Sequence, residues 1–237
     1  MWTGRKLLSE LHQQSCWKVS FFCGETSTLT ESTFSFVALE NIVEERREFL
    51  DPQDYSDKLQ NYLGLENIQP ITGDLVNFSQ KYGKTIKSKS KVFYPGDILY
   101  GRLRPYLNKV YLAEEPVSSG ICSGEFYVLV PRKDRVFPNL LRTVLTSDYI
   151  QKHVCQRQTG TALPRLQLRD LLKIEIPLPP LDMQVRYEEF LLRENIYRRQ
   201  LVTELSNLPQ RILGAIEKAL ETGEEPVTHQ ALGHLKG

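Results

Sequence analysis

Gly96-Asp-Ile-Leu-Tyr-Gly-Arg-Leu-Arg-Pro-Tyr-Leu-Asn-Lys-Val110 is the stretch from which the fold of this chain is read. Pro95-Gly96-Asp97 opens it as a turn, because Gly accepts a left-handed backbone and Asp can bond its own main chain. Ile98-Leu-Tyr100 then reads as a strand and Lys109-Val-Tyr-Leu112 as another. On the N-terminal side, Phe34-Ser-Phe-Val-Ala-Leu39 is strand-like, and residues 40–49 are expected to form a short charged helix ending before Pro52. Tyr62–Ile68 and Asp74–Phe78 flank Thr72-Gly73 and predict a hairpin. On the C-terminal side, Glu125–Val130 is a further strand that stops at Pro131.

Beyond Pro138 the period changes. Leu141, Val144, Leu145 and Tyr149 recur at helical spacing and predict a helix to about Cys155. Leu166–Leu172 predicts a short helix, and Ile174, Ile176 and Leu178 alternate like a strand. Residues 1–181 therefore read as one α+β domain with strands and helices mixed, and Pro177, Pro179 and Pro180 punctuate its end.

The segment 182–223 is helical in another way. Asp182 can cap its start, and Glu188 and Glu189 suit the positive end of its dipole. Met183, Tyr187, Phe190, Tyr197, Leu201, Leu205 and Leu208 lie along one line of the helix, interrupted only by Glu194. Val185, Leu192 and Ile196 form a shorter apolar set roughly opposite. A helix apolar on two sides early and on one side later is held between two things. Its first half is expected to pack on its own domain, and Tyr197, Leu201, Leu205 and Leu208 are expected to meet another helix as a coiled-coil dimer interface. The alternative is a long core helix of the same domain. Pro209 interrupts this helix or starts a new one, in which Ile212, Leu213, Ile216 and Leu220 are the apolar set. Residues 224–237 read as a loose tail.

With 237 residues, 41% hydrophobic and 25% charged, the composition is that of an ordinary globular protein. No apolar run approaches a membrane span, and Leu7-Leu8-Ser9-Glu10 breaks the apolar stretch a signal peptide needs, so a cytoplasmic protein is expected. Four cysteines (Cys16, Cys23, Cys122, Cys155) and four histidines lack zinc-ligand spacing; even His12, Cys16 and Cys23 lack a second pair to close a site. No metal and no cofactor are expected.

Enzymatic signatures are missing too. There is no Gly-x-Gly-x-x-Gly, no phosphate-binding Gly-x-x-x-x-Gly-Lys-Ser/Thr and no Asn-Pro-Pro-Tyr-type tetrapeptide. Asp97 and Glu125 do not make a nuclease cluster, because Tyr127 stands where a lysine would. Ser118-Ser119-Gly120 lacks the frame of a nucleophile elbow. No catalytic residue is expected.

Charge is more informative. Between Leu75 and Ala113 there are eight basic residues and one acid, a local charge of +7 that leaves −6 for the rest of a chain of net charge +1. Such segregation suggests a polyanion on one face. Lys81, Lys84, Lys87, Lys89 and Lys91, with Tyr82 and Ser88, suit phosphate contacts; the alternative is a solvated surface loop. Gln156-Arg-Gln-Thr-Gly-Thr161 carries Arg157 and Gln158, types that pair with guanine and adenine, against the alternative of a plain connector. Arg104 joins these as a candidate DNA contact.

The motifs together resemble the specificity subunits of type I restriction–modification systems. Gly96–Val110 is similar to their central motif, Thr159–Leu166 and Ile174–Leu181 with Gln184 follow in order, and Tyr62–Ile68 and Thr72-Gly73 precede them. Leu208-Pro-Gln-Arg-Ile-Leu213 resembles the end of the family's helix. The resemblance implies a mixed α/β target recognition domain, followed by a long helix that forms an antiparallel coiled coil. It also implies double-stranded DNA as ligand, DNA methyltransferase (modification) subunits as partners, and a restriction or motor subunit that joins them. The family usually carries two recognition domains and two helices, and this sequence has one of each. The expectation is a half-subunit that pairs with a second copy of itself or another half. A helical scaffold without DNA reading is the alternative. Residues 1–30 match no motif.

Overall fold

A computed structural model describes residues 32–160, 162–223 and 225. The chain divides into two compact units, with the boundary between Glu189 and Phe190. The first unit is built on two four-stranded sheets. One has the order β2 (Val43–Glu45), β11 (Phe126–Pro131), β8 (Ile98–Gly101), β9 (Val110–Leu112), all antiparallel. The other has the order β3 (Phe49–Leu50), β7 (Ser90–Phe93), β10 (Gly120–Cys122), β5 (Tyr62–Leu63), with only β10 and β5 parallel. Two short antiparallel pairs complete the strands: β1 (Phe36–Ala38) with β12 (Glu175–Pro177), and β4 (Leu59–Gln60) with β6 (Lys81–Tyr82). The helices are α1 (Pro138–Thr146), α2 (Asp148–Arg157), α3 (Leu168–Leu172) and α4 (Leu181–Thr222).

The first sheet is buried on both faces, which explains why its strands read as nearly continuous apolar runs. Ile98, Tyr100, Val110 and Leu129 belong to a core shared with Leu141 and Leu145 of α1 and with Ile150 and Val154 of α2. The alternate residues Leu99, Tyr111, Phe126 and Val128 belong to a second core with Leu63, Phe93 and Cys122 of the other sheet. The domain is thus three layers: helices, sheet, sheet. Each fully buried aliphatic or aromatic side chain contributes about 1.5–3 kcal/mol.

The turn at residues 95–97 forms as expected. Gly96 has φ +87°, and Asp97 accepts the Tyr94 N–H at 2.9 Å. Asp97 also takes both arms of Arg46, at 2.8 and 3.1 Å, so it is a buried structural anion. This contact is the main reason the Arg46 guanidinium is held more tightly protonated than usual.

Several expectations need correction. Residues 40–49 are not a helix: a 3-10 turn at Leu39–Asn41 is followed by β2 and β3, because sheet pairing outweighs local helix propensity. The hairpin at Thr72-Gly73 shrinks to the single bridge Ile68–Leu75, since Tyr62–Leu63 pairs with β10 instead. The helix expected up to Cys155 is broken at Ser147, whose extended backbone (ψ 155°) and hydroxyl cap α2. Pro209 does not interrupt α4, which runs through it. Val185, Leu192 and Ile196, the shorter apolar set, are between 43% and 49% exposed.

Among the described residues no helix is long and apolar enough to cross a membrane, and no group of three or more potential metal-binding side chains occurs. Residues 1–31, including His12, Cys16 and Cys23, lie outside the described residues, as does most of the tail after Gly223.

Candidate nucleic-acid interface

The lysine-rich segment folds back on residues 52–60. Asp51 caps the 3-10 turn Pro52–Tyr55 by accepting the Gln53 N–H. The Gln53 side-chain amide then donates to the carbonyls of Ile86 (2.7 Å) and Gly83 (3.3 Å). The Gly83 and Lys84 N–H groups donate to the carbonyls of Lys58 and Ser56 at 3.1 and 3.0 Å. Gly83 is required here by close approach, because a Cβ would collide with the carbonyls of Pro52 and Tyr55. β4 and β6 close the other side, with Leu59 opposite Tyr82 and Gln60 opposite Lys81.

The result is an exposed lobe in which lysines lie over aromatic rings. The Lys58 ammonium is 5.3 Å from the Tyr55 ring centre, Lys84 is 5.3 Å from that of Tyr82, and Lys81 is 4.8 Å from that of Tyr62. Tyr55, Leu59 and Tyr82 are exposed, as are Lys84, Lys87, Ser88 and Lys89. Lys84 touches Asp57 at 3.3 Å and Lys81 touches Glu66 at 3.6 Å. Such exposed pairs are weak enough for a phosphate to displace. Exposed cations interleaved with aromatic faces can neutralise phosphates and stack on or pack against bases.

Lys91 departs from the expected set. It is only 7% exposed, its ammonium sits 3.1 Å from Glu45 Oε1, and it lies 5.2 Å from the centre of the Tyr127 ring. Its charge is spent inside the fold. Lys109 likewise donates to the Leu65 carbonyl at 2.6 Å, and Arg102 lies 3.8 Å from Glu125. The excess of +7 read along the sequence is therefore not one surface. Acids distant in sequence take up part of it.

Arg104 precedes the 3-10 turn Pro105–Leu107, Arg157 ends α2 and Gln158 follows it. The two motif stretches around them meet, through bridges Leu103–Arg165 and Thr159–Arg165 and through the Arg104 N–H on the Pro164 carbonyl at 2.7 Å. Arg165 forks onto Glu125, with its shortest bond 2.8 Å, and this hydrogen bond holds the Glu125 carboxyl below its ordinary range. Arg104 is exposed, in a left-handed backbone conformation (φ 48°). Arg157 is half-buried on the His153 carbonyl at 3.1 Å, and Gln158 is 8% exposed. Gln158 is thus an interior side chain. Reading the sequence missed Gln53, Tyr55 and Lys58; the signal for the first two was Asp51-Pro52, a cap followed by a proline suited to a helical start.

A family model described as the type I restriction modification DNA specificity domain matches residues 34–195. The type I restriction enzyme EcoDI specificity subunit of Escherichia coli is 26% identical over 189 residues, covering 77% of this chain and 41% of its own length. The HindI specificity subunit of Haemophilus influenzae is 22% identical over 223 residues, covering 92% of this chain and 43% of its own. The chain thus spans about two-fifths of the length of these relatives. The crystal structure of the HsdS subunit from Thermoanaerobacter tengcongensis matches with TM-score 0.60 at 24% identity, over 78% of this chain and 48% of that one. A chain from a structural study of type I R-M complex assembly matches with TM-score 0.61 at 24% identity, over 84% and 52%. These structures share the mixed sheet-and-helix fold with a long C-terminal helix.

Proposed function

The chain belongs to the type I restriction–modification DNA specificity family, and from that premise we propose that it reads one half of a bipartite double-stranded DNA target on behalf of partner subunits. The observation that carries this reading is the exposed lysine–tyrosine lobe, set within the residues that the DNA specificity family covers. Lys81, Lys84, Lys87 and Lys89 position the phosphate backbone, with Tyr82, Ser88 and Arg104 as further contacts. Chemistry lies elsewhere: DNA methyltransferase subunits modify the target, and a restriction or motor subunit joins them where one is present. The recognition domain spans about residues 1–181, and the helical segment 182–223 pairs with a second copy of this chain or another half-subunit. Tyr197, Leu201, Leu205 and Leu208 supply the contact. All four are exposed, and the stripe continues through Ile212 and Ile216 because Pro209 leaves the helix unbroken.

Selecting bound duplexes from a random pool with the purified chain tests the reading. Enrichment of two short elements at a fixed separation is the expected result. Binding that never exceeds the sequence-independent level would favour a scaffold without DNA reading.

A further inference from the structure

α4 begins inside the first unit, and its first turns are held there in an unusual way. Leu181, Val185 and Tyr187 are 42%, 43% and 37% exposed, so apolar packing is not what seats them. The side chain that is buried is polar: Gln184, 1% exposed. Its amide donates to the carbonyls of Pro179 (2.8 Å) and Arg135 (2.9 Å), and its oxygen accepts the Phe137 N–H at 3.2 Å. One turn later Glu188 reaches the start of α1. Its Oε1 accepts from the Asn139 N–H (3.1 Å) and the Asn139 side-chain amide (2.9 Å), and its Oε2 accepts the Leu140 N–H at 3.0 Å.

α1 needs this contact. Its N-cap, Phe137, has no side-chain oxygen to offer, so the free N–H groups of its first turn would otherwise lack a protein partner. Glu188 supplies acceptors to the Asn139 and Leu140 N–H groups while Gln184 takes that of the N-cap residue Phe137, and Glu188 also brings negative charge to the positive end of the α1 dipole. Glu188 thus caps a helix other than its own. Hydrogen bonds weaken steeply when bent, whereas apolar contacts tolerate sliding and rotation. Five of these six hydrogen bonds join α4 to residues 135–140, and together they restrict the direction and register of its first turns against α1.

We infer that Gln184 and Glu188 are positioning residues that set the separation between the two DNA half-sites. The inference rests on the proposed bipartite reading. A helix can act as a ruler only if its starting direction is fixed, and this polar clamp is what fixes it. Neither residue touches DNA in this scheme; both act through the direction of α4.

Two measurements on the full chain test it. In selection from random duplexes, Glu188→Ala should keep the half-site sequences while its preference for one spacer over the neighbouring lengths falls at least about tenfold, since three hydrogen bonds to a charged group are lost and even one is worth about that factor. Glu188→Gln, which keeps an acceptor oxygen, should restore part of that preference. Gln184→Met should behave like Glu188→Ala. Leu145→Ala, a core variant that lowers stability with the clamp intact, should leave the spacer sharp. The second measurement needs no DNA: spin labels at Lys133 and Glu189, both in the first unit, should give a narrow distance distribution that widens in Glu188→Ala and stays narrow in Leu145→Ala. A Glu188→Ala chain that keeps both its sharp spacer and its narrow distances overturns the clamp. Widened distances, with a single contiguous site selected by the unmutated chain, would overturn the bipartite reading, and with it the link to half-site spacing.

Discussion

Lys84, Lys87 and Lys89 stand in solvent, whereas Lys91, two residues further on, is enclosed by Glu45 and the Tyr127 ring. Their replacement should therefore give opposite signatures. Changing Lys84, Lys87 and Lys89 to Ala should weaken all duplexes alike and lower the slope of log K against log salt by about 0.9 for each phosphate no longer neutralised, with little change in stability. Lys91→Ala should instead cost about 1–3 kcal/mol in denaturant unfolding, because the largely buried Glu45 keeps only the exposed Arg47 as its partner, and leave the salt slope unaltered. Unchanged slopes in the triple variant would remove the lobe from the DNA interface. Charge counted along the sequence could not separate the two kinds of lysine, since Glu45 lies 46 positions from its partner. Glu125 gives a pH test of the same principle. Its carboxyl is held low, chiefly by the hydrogen bond from Arg165 and against the opposing effect of burial. On acidification the unfolded chain takes up this proton first, near the ordinary value of about 4.3. The stability is present above that pH and is lost as pH falls through the lower folded value. Glu125→Gln should thus show a shallower fall in denaturation midpoint between about pH 5 and pH 3. Parallel acid limbs for the two proteins would count against the linkage.

At the scale of elements, the lobe depends on residues 52–60 and 81–86 lying in contact, and Gly83 is where they come closest. Gly83→Ala should push the two segments apart at a cost of about 1–3 kcal/mol. Amide exchange should speed up in both segments together, and DNA affinity should fall for all sequences. Exchange confined to 81–86 would mean that the lobe is not one cooperative piece. Helix α4 gives the second test. Its apolar residues at 197, 201, 205, 208, 212 and 216 step by three and four along one face, and Leu205 is 71% exposed. Leu201→Asp with Leu205→Asp should convert an associating chain to a monomer in sedimentation at micromolar concentrations, since each buried Leu contributes about 1.5–3 kcal/mol. An unmutated chain that is already monomeric would leave a different half as the partner. Long elements were legible because their patterns are strong: α4 carries a sustained amphipathic repeat, and β8, β9 and β11 are apolar on both faces. β5 was legible as a strand but not in its pairing, and the two- and three-residue strands β2, β3, β4 and β6 were not legible. They exist only through pairing with distant segments, and nothing in Glu44-Glu45-Arg46 announces that Glu45 turns inward to Lys91.

At the scale of the whole molecule, symmetry and length decide which DNA targets suit the proposed reading. Closed dimers of identical chains are usually two-fold symmetric, and a two-fold axis maps one DNA half-site onto its inverted copy. One recognition domain and one helix per chain were legible from the order of the motifs. The length of the helix was not, because a proline inside a helical pattern ordinarily ends it. α4 passes through Pro209 and spans 42 residues, about 63 Å at 1.5 Å per residue. The absolute spacer depends on how far two such helices overlap, but its increment does not. Inserting seven residues between Arg199 and Thr203 adds about two turns, keeps the apolar face in phase, and lengthens the helix by about 10 Å. If paired helices measure the separation of two DNA-reading domains, the preferred spacer should grow by about three base pairs, at about 3.4 Å each. The half-site sequences should be unchanged, because the insertion lies outside the recognition domain. Selection from random duplexes with the original and lengthened chains reads both quantities at once. An inverted repeat whose spacer lengthens by that amount is the expected outcome. A spacer indifferent to the insertion, or one asymmetric contiguous site for the homodimer, would mean that the helices do not measure the DNA.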